Sequence, residues 1–273
     1  MTDRNADSDA RWDSIFVDAP GGQLFARVWD AGRVSSDLPT IVLLHDSLGS
    51  VDLWRAFPAR LATVTGHAVV AYDRLGFGRS DPHPAALAAP GFVHDEGRIS
   101  LPALRSALGI DRMVLFGHSV GGAMAIAAAA ELPAPIVGVI TEAAQVFAEE
   151  RTLTAIREAK AAFSAPGQLE RLARYHGEKA TWVLNAWTYS WLDPAFANWN
   201  LESELRRLRC PILAMHGDRD EYGSRVHPDR IAALAPTRAD VVLFEDCGHV
   251  PHREHPDSVL AAVLRFIKTR VAA

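Results

Sequence analysis

The chain has 273 residues, of which 49% are hydrophobic and 22% are charged, and its formal net charge at pH 7 is −5. A chain of this length can bury a sizeable core, and the composition is typical of a water-soluble globular protein. The acidic balance argues against a nucleic-acid partner, because contact with a phosphate backbone requires an excess of lysine and arginine.

The amino terminus, the apolar runs and the cysteines bear on location. Residues 1–10 are polar and acidic and lack the features of a signal peptide, and we expect residues 1–12 to be disordered. The longest uncharged run of small and apolar residues, 120–130, is about half of the ~20 residues that cross a bilayer. Cys210 and Cys247 cannot form a disulfide framework. We therefore predict a cytoplasmic protein without a membrane partner.

Apolar runs typical of strands alternate with helical patterns along most of the chain. Most of these runs are unbroken, which indicates parallel strands covered on both faces. The first two flank Pro20-Gly21-Gly22 and predict an antiparallel hairpin at a sheet edge. The predicted strands are 14–17, 24–29, 40–45, 68–72, 113–116, 136–140, 211–216 and 241–244, and helices are predicted over about 53–61, 92–108 and 258–269 and directly after Ser119.

The pattern changes between residues 144 and 200, where helices follow one another without a strand. This segment carries four tryptophans and two interrupting prolines, and we interpret it as an insertion over the sheet. The expected organisation is a core formed by residues 1–143 and 201–273, with a helical cap over 144–200.

The sequence Gly117-His118-Ser119-Val120-Gly121 lies between a predicted strand and a predicted helix. A serine at the apex of so tight a turn requires a positive φ, and side chains two residues before and after it would collide. Glycine at both positions removes those side chains, and the turn lifts the serine hydroxyl clear of the sheet. A glycine-rich turn in an ordinary strand-helix unit is the alternative, but the flanking elements favour a nucleophile elbow.

A serine hydroxyl is activated when a histidine takes its proton and a third group orients that histidine. In open parallel sheets the loops at the carboxyl ends of the strands line the ligand crevice. Of the loops after the last two strands, 217–222 supplies carboxylates and 245–251 supplies a histidine. The resulting chain order is serine, acid, histidine.

Five motifs in the correct order resemble those of the α/β-hydrolase superfamily, in the branch of small capped esterases, C–C bond hydrolases, lactonases and cofactor-free perhydrolases. The resemblance covers nearly the whole chain except the cap. It implies a mostly parallel eight-stranded sheet with helices on both faces and a helical cap. The matching pieces are the apolar strand ending in His45, Asp73 to Ser80, Gly117 to Gly121, Gly217 to Asp220, and Gly248-His249 with Glu254 and Pro256 behind it.

The resemblance assigns catalytic roles to three residues. Ser119 is the nucleophile, Asp220 falls on the acid of the family pattern G-x-x-D, and His249 falls on the base in the G-H after the last strand. Asp218 is the nearest alternative acid. Glu142 is the third, because some relatives supply the acid from the strand that ends near it.

The oxyanion formed during attack on an ester needs preorganised N–H donors. One is the backbone N–H of Val120, where the helix dipole also favours negative charge, and by resemblance the second is the backbone of Ser47. The chain departs from its relatives in having Asp46 where glycine is common. We predict that the Asp46 carboxylate points away from the oxyanion and caps the helix after Ser50.

The remaining histidines are expected to be structural. His252 and His255 fall where the chain enters a helix, so we expect them on the solvated surface. His45 is expected to be hydrogen bonded at a strand end, and His118 to pack against the crevice wall. Neither His45 nor His118 is expected to cluster with cysteines or carboxylates at ligand spacing, so no metal is predicted.

Trp54, Trp187 and Trp191 are candidates for the substrate pocket, although packing of the cap and the core is the alternative role. The predicted function is a serine hydrolase that cleaves carboxylic esters of small apolar molecules without a cofactor. A C–C bond hydrolase or a lactonase with the same triad is the first alternative. A ligand receptor on a hydrolase fold, with slow or absent turnover, is the alternative from another class.

Overall fold

The computed structural model describes residues 12–30, 37–87 and 91–271. They contain eight strands: β1 (Trp12–Ala19), β2 (Gly22–Trp29), β3 (Thr40–Leu44), β4 (Val69–Tyr72), β5 (Met113–His118), β6 (Ile136–Glu142), β7 (Ile212–Gly217) and β8 (Ala239–Phe244). The strands form one sheet in the order β1-β2-β4-β3-β5-β6-β7-β8. The β1-β2 and β2-β4 pairs are antiparallel and the other pairs are parallel. The predicted edge hairpin and mostly parallel sheet are therefore confirmed.

The amino-terminal prediction is corrected at one residue. Trp12 begins β1, where it pairs with Trp29 and stacks on the guanidinium of Arg27 at 4.4 Å. The expectation of disorder is therefore wrong for Trp12, because strand pairing and a cation–π contact hold it. Residues 1–11 lie outside the described residues.

The central strands are buried on both faces. Every residue of β3, β4 and β5 is buried, as expected for parallel strands between two layers of helices. Successive side chains of β3 alternate between two hydrophobic clusters: Val42 and Leu44 belong to one, Ile41 and Leu43 to the other. The edge strand β1 is mostly exposed, and its Phe16 is 59% exposed.

Helices cover the sheet in two groups. Residues of α3, α4, α8 and α9 belong to the cluster of Val42, and residues of α1 and α11 belong to the cluster of Ile41. The helices are α1 (Phe57–Thr65), α2 (Phe92–Asp95), α3 (Leu101–Leu108), α4 (Val120–Glu131), α5 (Glu150–Ala162), α6 (Gln168–His176), α7 (Ala180–Leu192), α8 (Glu202–Arg207), α9 (Val226–Leu234), α10 (Pro251–Glu254) and α11 (Pro256–Phe266). None of the helices within the described ranges is long and apolar enough to cross a membrane.

Three predicted helices are interrupted by local geometry. A 3₁₀ turn over Val51–Trp54 precedes α1, and the break falls at Arg55, which has φ 53°. A π-helical turn over Glu96–Ser100 joins α2 to α3, and another over Ile267–Val271 extends α11. Hydrophobic periodicity predicted the extent of these segments but not the changes of pitch within them.

The segment 144–200 is helical, with α5, α6 and α7 and no described strand. A single antiparallel bridge between Phe147 and Asn200 joins its two ends. Leu172 of α6 and Val183 of α7 pack against Phe77, which lies in the loop after β4. These helices therefore contact a loop at the carboxyl end of the sheet.

The contact between the π-helical turn and α4 depends on Gly97. A Cβ atom at this position would lie 2.9 Å from Ala128 Cα and 3.1 Å from Ala128 Cβ. We predict that Gly97→Val lowers the free energy of unfolding by about 3 kcal/mol or more, since overpacking forces the two segments apart. Chemical denaturation measures this change. Arg98→Val puts the same side chain at an exposed position of the same turn and should cost no more than about 1 kcal/mol; equal losses would contradict the steric explanation.

Candidate active site

Ser119 occupies the turn between β5 and α4 with φ 55° and ψ −125°, and 7% of the residue is exposed. A Cβ atom on Gly117 would lie 2.1 Å from the carbonyl oxygen of Gly121. A Cβ atom on Gly121 would lie 2.1 Å from the carbonyl oxygen of Leu44. The positive φ and the need for both glycines agree with the elbow predicted from the sequence.

The hydroxyl of Ser119 has a partner that sequence reasoning missed. Ser119 Oγ donates to Gln145 Oε1 at 3.3 Å, and Gln145 Nε2 donates to the carbonyl oxygen of Ala143 at 3.3 Å. No hydrogen bond joins Ser119 to His249 in the described part of the chain. The hydroxyl must therefore leave Gln145 before it can pass a proton to an imidazole. The position of Gln145, just beyond the carboxyl end of β6, is the signal that could have identified it.

The structure places the Asp220 carboxylate against the His249 ring. His249 Nδ1 lies 2.9 Å from both oxygens of Asp220. Asp220 is 1% exposed and also accepts hydrogen bonds from the backbone N–H groups of Tyr222 and Gly223, at 2.7 and 3.1 Å. Nδ1 is occupied in this way, whereas His249 Nε2 makes no hydrogen bond to another described residue. Within the described part of the chain, the outer nitrogen of the imidazole therefore has no competing hydrogen-bond partner.

His216 is a second partner of Asp220 that sequence reasoning missed. Its Nε2 lies 3.2 Å from Asp220 Oδ2 and 3.2 Å from the carbonyl oxygen of Gly223. Burial lowers the pKa of His216 despite the opposing charge of Asp220, so a neutral ring donates from Nε2. Burial raises the pKa of Asp220, but the hydrogen bond and charge of His249 and the hydrogen bond from the backbone N–H of Tyr222 outweigh it and lower the pKa overall. Asp220 is therefore held as a carboxylate.

The alternative acids lie elsewhere. Asp218 is exposed and accepts from the backbone N–H of Cys247 at 3.2 Å, which is a turn-capping contact.

Glu142 is fully buried and its Oε2 lies 2.6 Å from Nδ1 of His252. His252 is only 5% exposed, so the prediction that it is solvated is wrong. Its ring pairs with the buried carboxylate of Glu142 instead of facing water. His255 is partly exposed and lies 3.5 Å from the carbonyl oxygen of Asp246.

Two backbone donors are available for an oxyanion. The N–H groups of Ser47 and Val120 donate to no other group among the described residues, and both residues line the same cavity. Val120 is the first residue of α4, so the positive end of the helix dipole lies at its N–H. The cavity therefore brings together the two residues that the sequence suggested as oxyanion donors.

Asp46 does not cap the helix after Ser50, which corrects the sequence prediction. Its Oδ1 accepts from the backbone N–H of Leu48 at 2.8 Å, and its Oδ2 lies 3.3 Å from His118 Nδ1. The 3₁₀ turn after Ser50 has no side-chain cap. Burial raises the pKa of Asp46, but the hydrogen bond and charge of His118 outweigh it, so the pKa lies well below its usual value. A local turn and an ion pair with the buried ring of His118 therefore hold this half-buried carboxylate.

The cavity beside Ser47 and Val120 encloses about 640 Å³ of empty space when the open solvent at its mouth is included. Trp187 and Trp191, the two cap tryptophans considered for the substrate pocket, line this cavity, and Trp182 lines it as well. Its polar lining includes Arg74, Asp95 and Glu96, which sequence reasoning did not identify.

Trp54 does not line this cavity, so its assignment to the substrate pocket is wrong. It is 3% exposed and belongs to the cluster that includes α1 and α11. Its ring lies 4.8 Å from the ring of His252 and 6.0 Å from that of Phe116. The short 3₁₀ turn points Trp54 into the core below the elbow, a direction that helical periodicity does not predict.

His118, Glu142 and His252 form a buried cluster whose candidate ligand atoms lie within 4.8 Å of one another. The expectation that His118 lies apart from carboxylates is therefore wrong. His118 Nε2 lies 2.7 Å from the carbonyl oxygen of His249, and its Nδ1 faces Asp46. Because His252 Nδ1 and Glu142 Oε2 are only 2.6 Å apart, a metal between them would have to separate the pair. The contacts fit a hydrogen-bonded network.

Comparison with known proteins supplies the family. A model of the alpha/beta hydrolase family matches residues 41–263. The chain belongs to this family. It is 25% identical to a proline iminopeptidase of Heyndrickxia coagulans over 93% of this chain and 98% of the relative.

Solved structures show the same family fold. One is a membrane phospholipase A described as a novel bacterial virulence factor; it has a TM-score of 0.76 and 25% identity, covering 95% of this chain and 86% of that chain. Another is the naproxen esterase of Bacillus subtilis, with a TM-score of 0.69 and 19% identity, covering 95% of this chain and 92% of that chain. The relatives include a peptidase and esterases, so the comparisons support a hydrolase enzyme without selecting its substrate.

The buried pair of Glu142 and His252 gives a prediction on stability. Glu142→Leu leaves His252 Nδ1 without its acceptor and should lower the free energy of unfolding at pH 7 by about 3–5 kcal/mol. Glu142→Gln keeps an acceptor and should cost less. Urea denaturation measures both losses. Glu131→Gln, which changes the ion pair with exposed Arg98, is the control and should lower the free energy of unfolding by no more than about 1 kcal/mol.

The same pair predicts part of the acid sensitivity. Burial raises the pKa of Glu142, but the charge and hydrogen bond of His252 and the charge of His118 lower it overall. The carboxylate therefore adds stability above its unfolded pKa of about 4.3. That contribution disappears as the pH falls through the lower pKa of the folded state. Glu142→Gln should flatten the stability profile in this acidic range; identical profiles would contradict the assignment.

Proposed function

We propose that the protein is a serine hydrolase that cleaves carboxylic esters of small, fairly apolar molecules through an acyl-enzyme intermediate. The observation that carries the proposal is the buried Asp220 carboxylate, which holds His249 Nδ1 at 2.9 Å. His118 of the elbow lies 2.7 Å from the His249 carbonyl oxygen, so the base is attached to the turn that presents Ser119. The proposed nucleophile, base and acid therefore all lie on loops at the carboxyl end of the sheet.

The acylation step begins when the Ser119 hydroxyl leaves Gln145. Its oxygen attacks the ester carbonyl carbon, and its proton moves to His249 Nε2. Negative charge develops on the former carbonyl oxygen, where the N–H groups of Ser47 and Val120 stabilise it. The intermediate then collapses: the ester C–O bond breaks, the leaving alcohol takes the proton from His249, and the acyl group stays on Ser119.

Deacylation reverses the roles with water as the nucleophile. Water gives a proton to His249 Nε2 and attacks the acyl carbon, and the same N–H donors stabilise the second oxyanion. The proton returns to Ser119 Oγ as the acid is released. Asp220 fixes the tautomer of His249 and stabilises its transient positive charge, while itself remaining ionised.

The segment 144–200 is proposed to act as a cap that closes the substrate cavity, on a core formed by residues 1–143 and 201–273. Trp182, Trp187 and Trp191 provide the apolar part of the cavity wall. Aromatic side chains of this kind bind the apolar portion of a substrate. The proposed partner is a small-molecule ester, and the cytoplasm remains the location proposed from the cysteine content.

The triad assignment is tested with p-nitrophenyl esters and a fluorophosphonate probe. Ser119→Ala should abolish labelling and lower kcat/KM by roughly 10⁴-fold or more, because the nucleophile is lost. Asp220→Asn should lower kcat/KM by about 10³- to 10⁴-fold, because the imidazole tautomer is no longer fixed.

Asp218→Asn is the matched control, since it makes the same change two residues away on an exposed side chain. Its kcat/KM should equal that of the unmodified protein. Activity that survives Ser119→Ala would refute the proposal. Labelling at Ser119 without turnover of any substrate would favour the receptor alternative.

The cavity gives a prediction on chain-length specificity. Ala186 lies on α7 and lines the cavity with Trp182 and Trp187. Ala186→Phe should fill this space and lower kcat/KM for hexanoate esters by about tenfold or more, with little effect on acetate esters, since each buried methylene contributes about 0.8 kcal/mol. Equal losses for both esters would place the acyl chain elsewhere.

A second candidate is a peptidase that removes an amino-terminal residue. It is favoured by the similarity to a proline iminopeptidase along nearly the whole chain and by the carboxylates of Asp95 and Glu96 at the cavity. Glu96 Oε2 accepts from the Tyr72 hydroxyl at 2.7 Å, while Oε1 bonds to no described group, so it can attract an ammonium. Comparing kcat/KM for proline p-nitroanilide, aryl esters, lactones and a vinylogous diketone distinguishes the candidate reactions.

A further inference from the structure

His118, the residue before the proposed nucleophile, bridges two loops. It is 2% exposed, its Nδ1 lies 3.3 Å from Asp46 Oδ2, and its Nε2 lies 2.7 Å from the carbonyl oxygen of His249. A carboxylate and a carbonyl oxygen can only accept hydrogen bonds. The close approach of both ring nitrogens to acceptor oxygens favours hydrogen on both nitrogens, which makes His118 an imidazolium.

Asp46 is fixed from several directions. Its Oδ1 accepts from the backbone N–H of Leu48, and its carbonyl oxygen accepts from Arg74 Nη2, both at 2.8 Å. His45 Nδ1 also lies 2.8 Å from that carbonyl oxygen. Ser47, which carries the proposed oxyanion donor, is enclosed by the contact between Asp46 and Leu48. An unbroken set of contacts therefore runs from the Ser47 loop through His118 to the backbone of His249.

We propose that the ion pair of Asp46 and His118 is a positioning device that holds the oxyanion donor at Ser47 and the base His249 in fixed relation to the elbow. The inference rests on the proposed function for its catalytic consequence. Asp46 and His118 are positioning residues, because they act through the loops of Ser47 and His249. A glycine at position 46 could not form this link.

The charged and titratable groups around His118 come from several elements. Asp46 faces it from the loop after β3, Glu142 acts on its charge from the end of β6, and the rings of His249 and His252 lie 5.1 and 5.2 Å from its ring. Arg253 and His45 line a small cavity together with Asp46, His118 and His252.

These surroundings favour the charged ring. Burial opposes the charge of His118, but the hydrogen bond and charge of Asp46 outweigh it, and Glu142 and the His249 carbonyl group add to them, so the pKa is raised. The imidazolium therefore persists above the usual histidine pKa of about 6.5. It loses its proton as the pH rises through the raised value, and the contact with Asp46 is then lost.

The ion pair itself is tested by NMR of ring-labelled histidine, with His118→Gln used to assign the signal. We expect both nitrogens of His118 to be protonated at pH 7. In Asp46→Asn the side-chain amide can donate to Nδ1, so His118 should become neutral and keep only its Nε2 hydrogen. A neutral His118 in the unmodified protein would overturn the proposal, whatever the protein's activity.

Positioning is tested without substrate through the His249 Nδ1 hydrogen that bonds to Asp220. Asp46→Gly removes the link, and exchange of this hydrogen with solvent should become about tenfold faster, because the His249 loop opens more often. Asp46→Asn keeps the hydrogen bonds and should restore slow exchange. Unchanged exchange in Asp46→Gly would refute the positioning role even if the protein is an esterase.

Turnover gives the catalytic consequence. Asp46→Gly should lower kcat by about 10- to 100-fold with little change in KM, because donors and base are misplaced for the reaction. Asp46→Asn should recover most of kcat. In the unmodified protein kcat should fall at alkaline pH as His118 loses its proton, and in Asp46→Asn this fall should be absent. Asp52→Asn changes an exposed carboxylate that pairs with Arg27 and Arg79; it is the control and should match the unmodified protein in kcat, KM and hydrogen exchange.

The outcomes separate this inference from the proposed function. Faster exchange in Asp46→Gly with no ester turnover in any protein would support the positioning role and refute the esterase. Ester turnover with equal kcat in Asp46→Gly and the unmodified protein would support the esterase and refute the positioning role.

Discussion

The left-handed backbone of Ser119 is the constraint on which the rest of the site depends. A non-glycine residue with positive φ costs on the order of 1–3 kcal/mol and persists only where its surroundings hold it. Here the Ser119 N–H donates to the carbonyl oxygen of Glu142 at 2.8 Å, and Gly121 lies directly against the Leu44 carbonyl group. β3 and β6 therefore hold the turn from both sides. The start of α4 follows from it, and the Val120 N–H is left without a helical partner.

Several histidine-carboxylate pairs lie at this end of the sheet, and three of them meet at His118. These three are Asp220 with His249, Asp46 with His118, and Glu142 with His252. Isolated buried charges are very costly, so pairing each carboxylate with a ring is what allows them to lie so close together. The pairs differ in what the second ring nitrogen, the one that does not face the carboxylate, contacts. His249 leaves Nε2 open, whereas His118 uses its second nitrogen to hold the His249 backbone, so one pair suits proton transfer and another suits support.

Much of the fold could be predicted from the sequence because its signals are local. Apolar runs marked the strands, and the glycines at 117 and 121, between a predicted strand and a predicted helix, marked the elbow. Family motifs selected Asp220 over Asp218, and the structure places Asp220 beside His249. Trp54 and His252 were misassigned for the opposite reason, since their directions depend on contacts between segments distant in the chain. Helical periodicity cannot show that a histidine near a helix start meets a buried glutamate 110 residues earlier.

Asp46 shows why a departure from a family pattern cannot be interpreted from its own segment. Its turn contact with Leu48 is local, but its charge is balanced by His118, which arrives on β5. Without knowledge of its His118 partner, the Asp46 carboxylate would be expected to repel a nearby oxyanion. The simplest prediction is then that its side chain points away from the oxyanion. A buried imidazolium changes that balance, because it neutralises the carboxylate and transfers its fixed position to the His249 loop. The acidic side chain can then coexist with the proposed oxyanion site, since its field at the cavity is offset by a cation held against it.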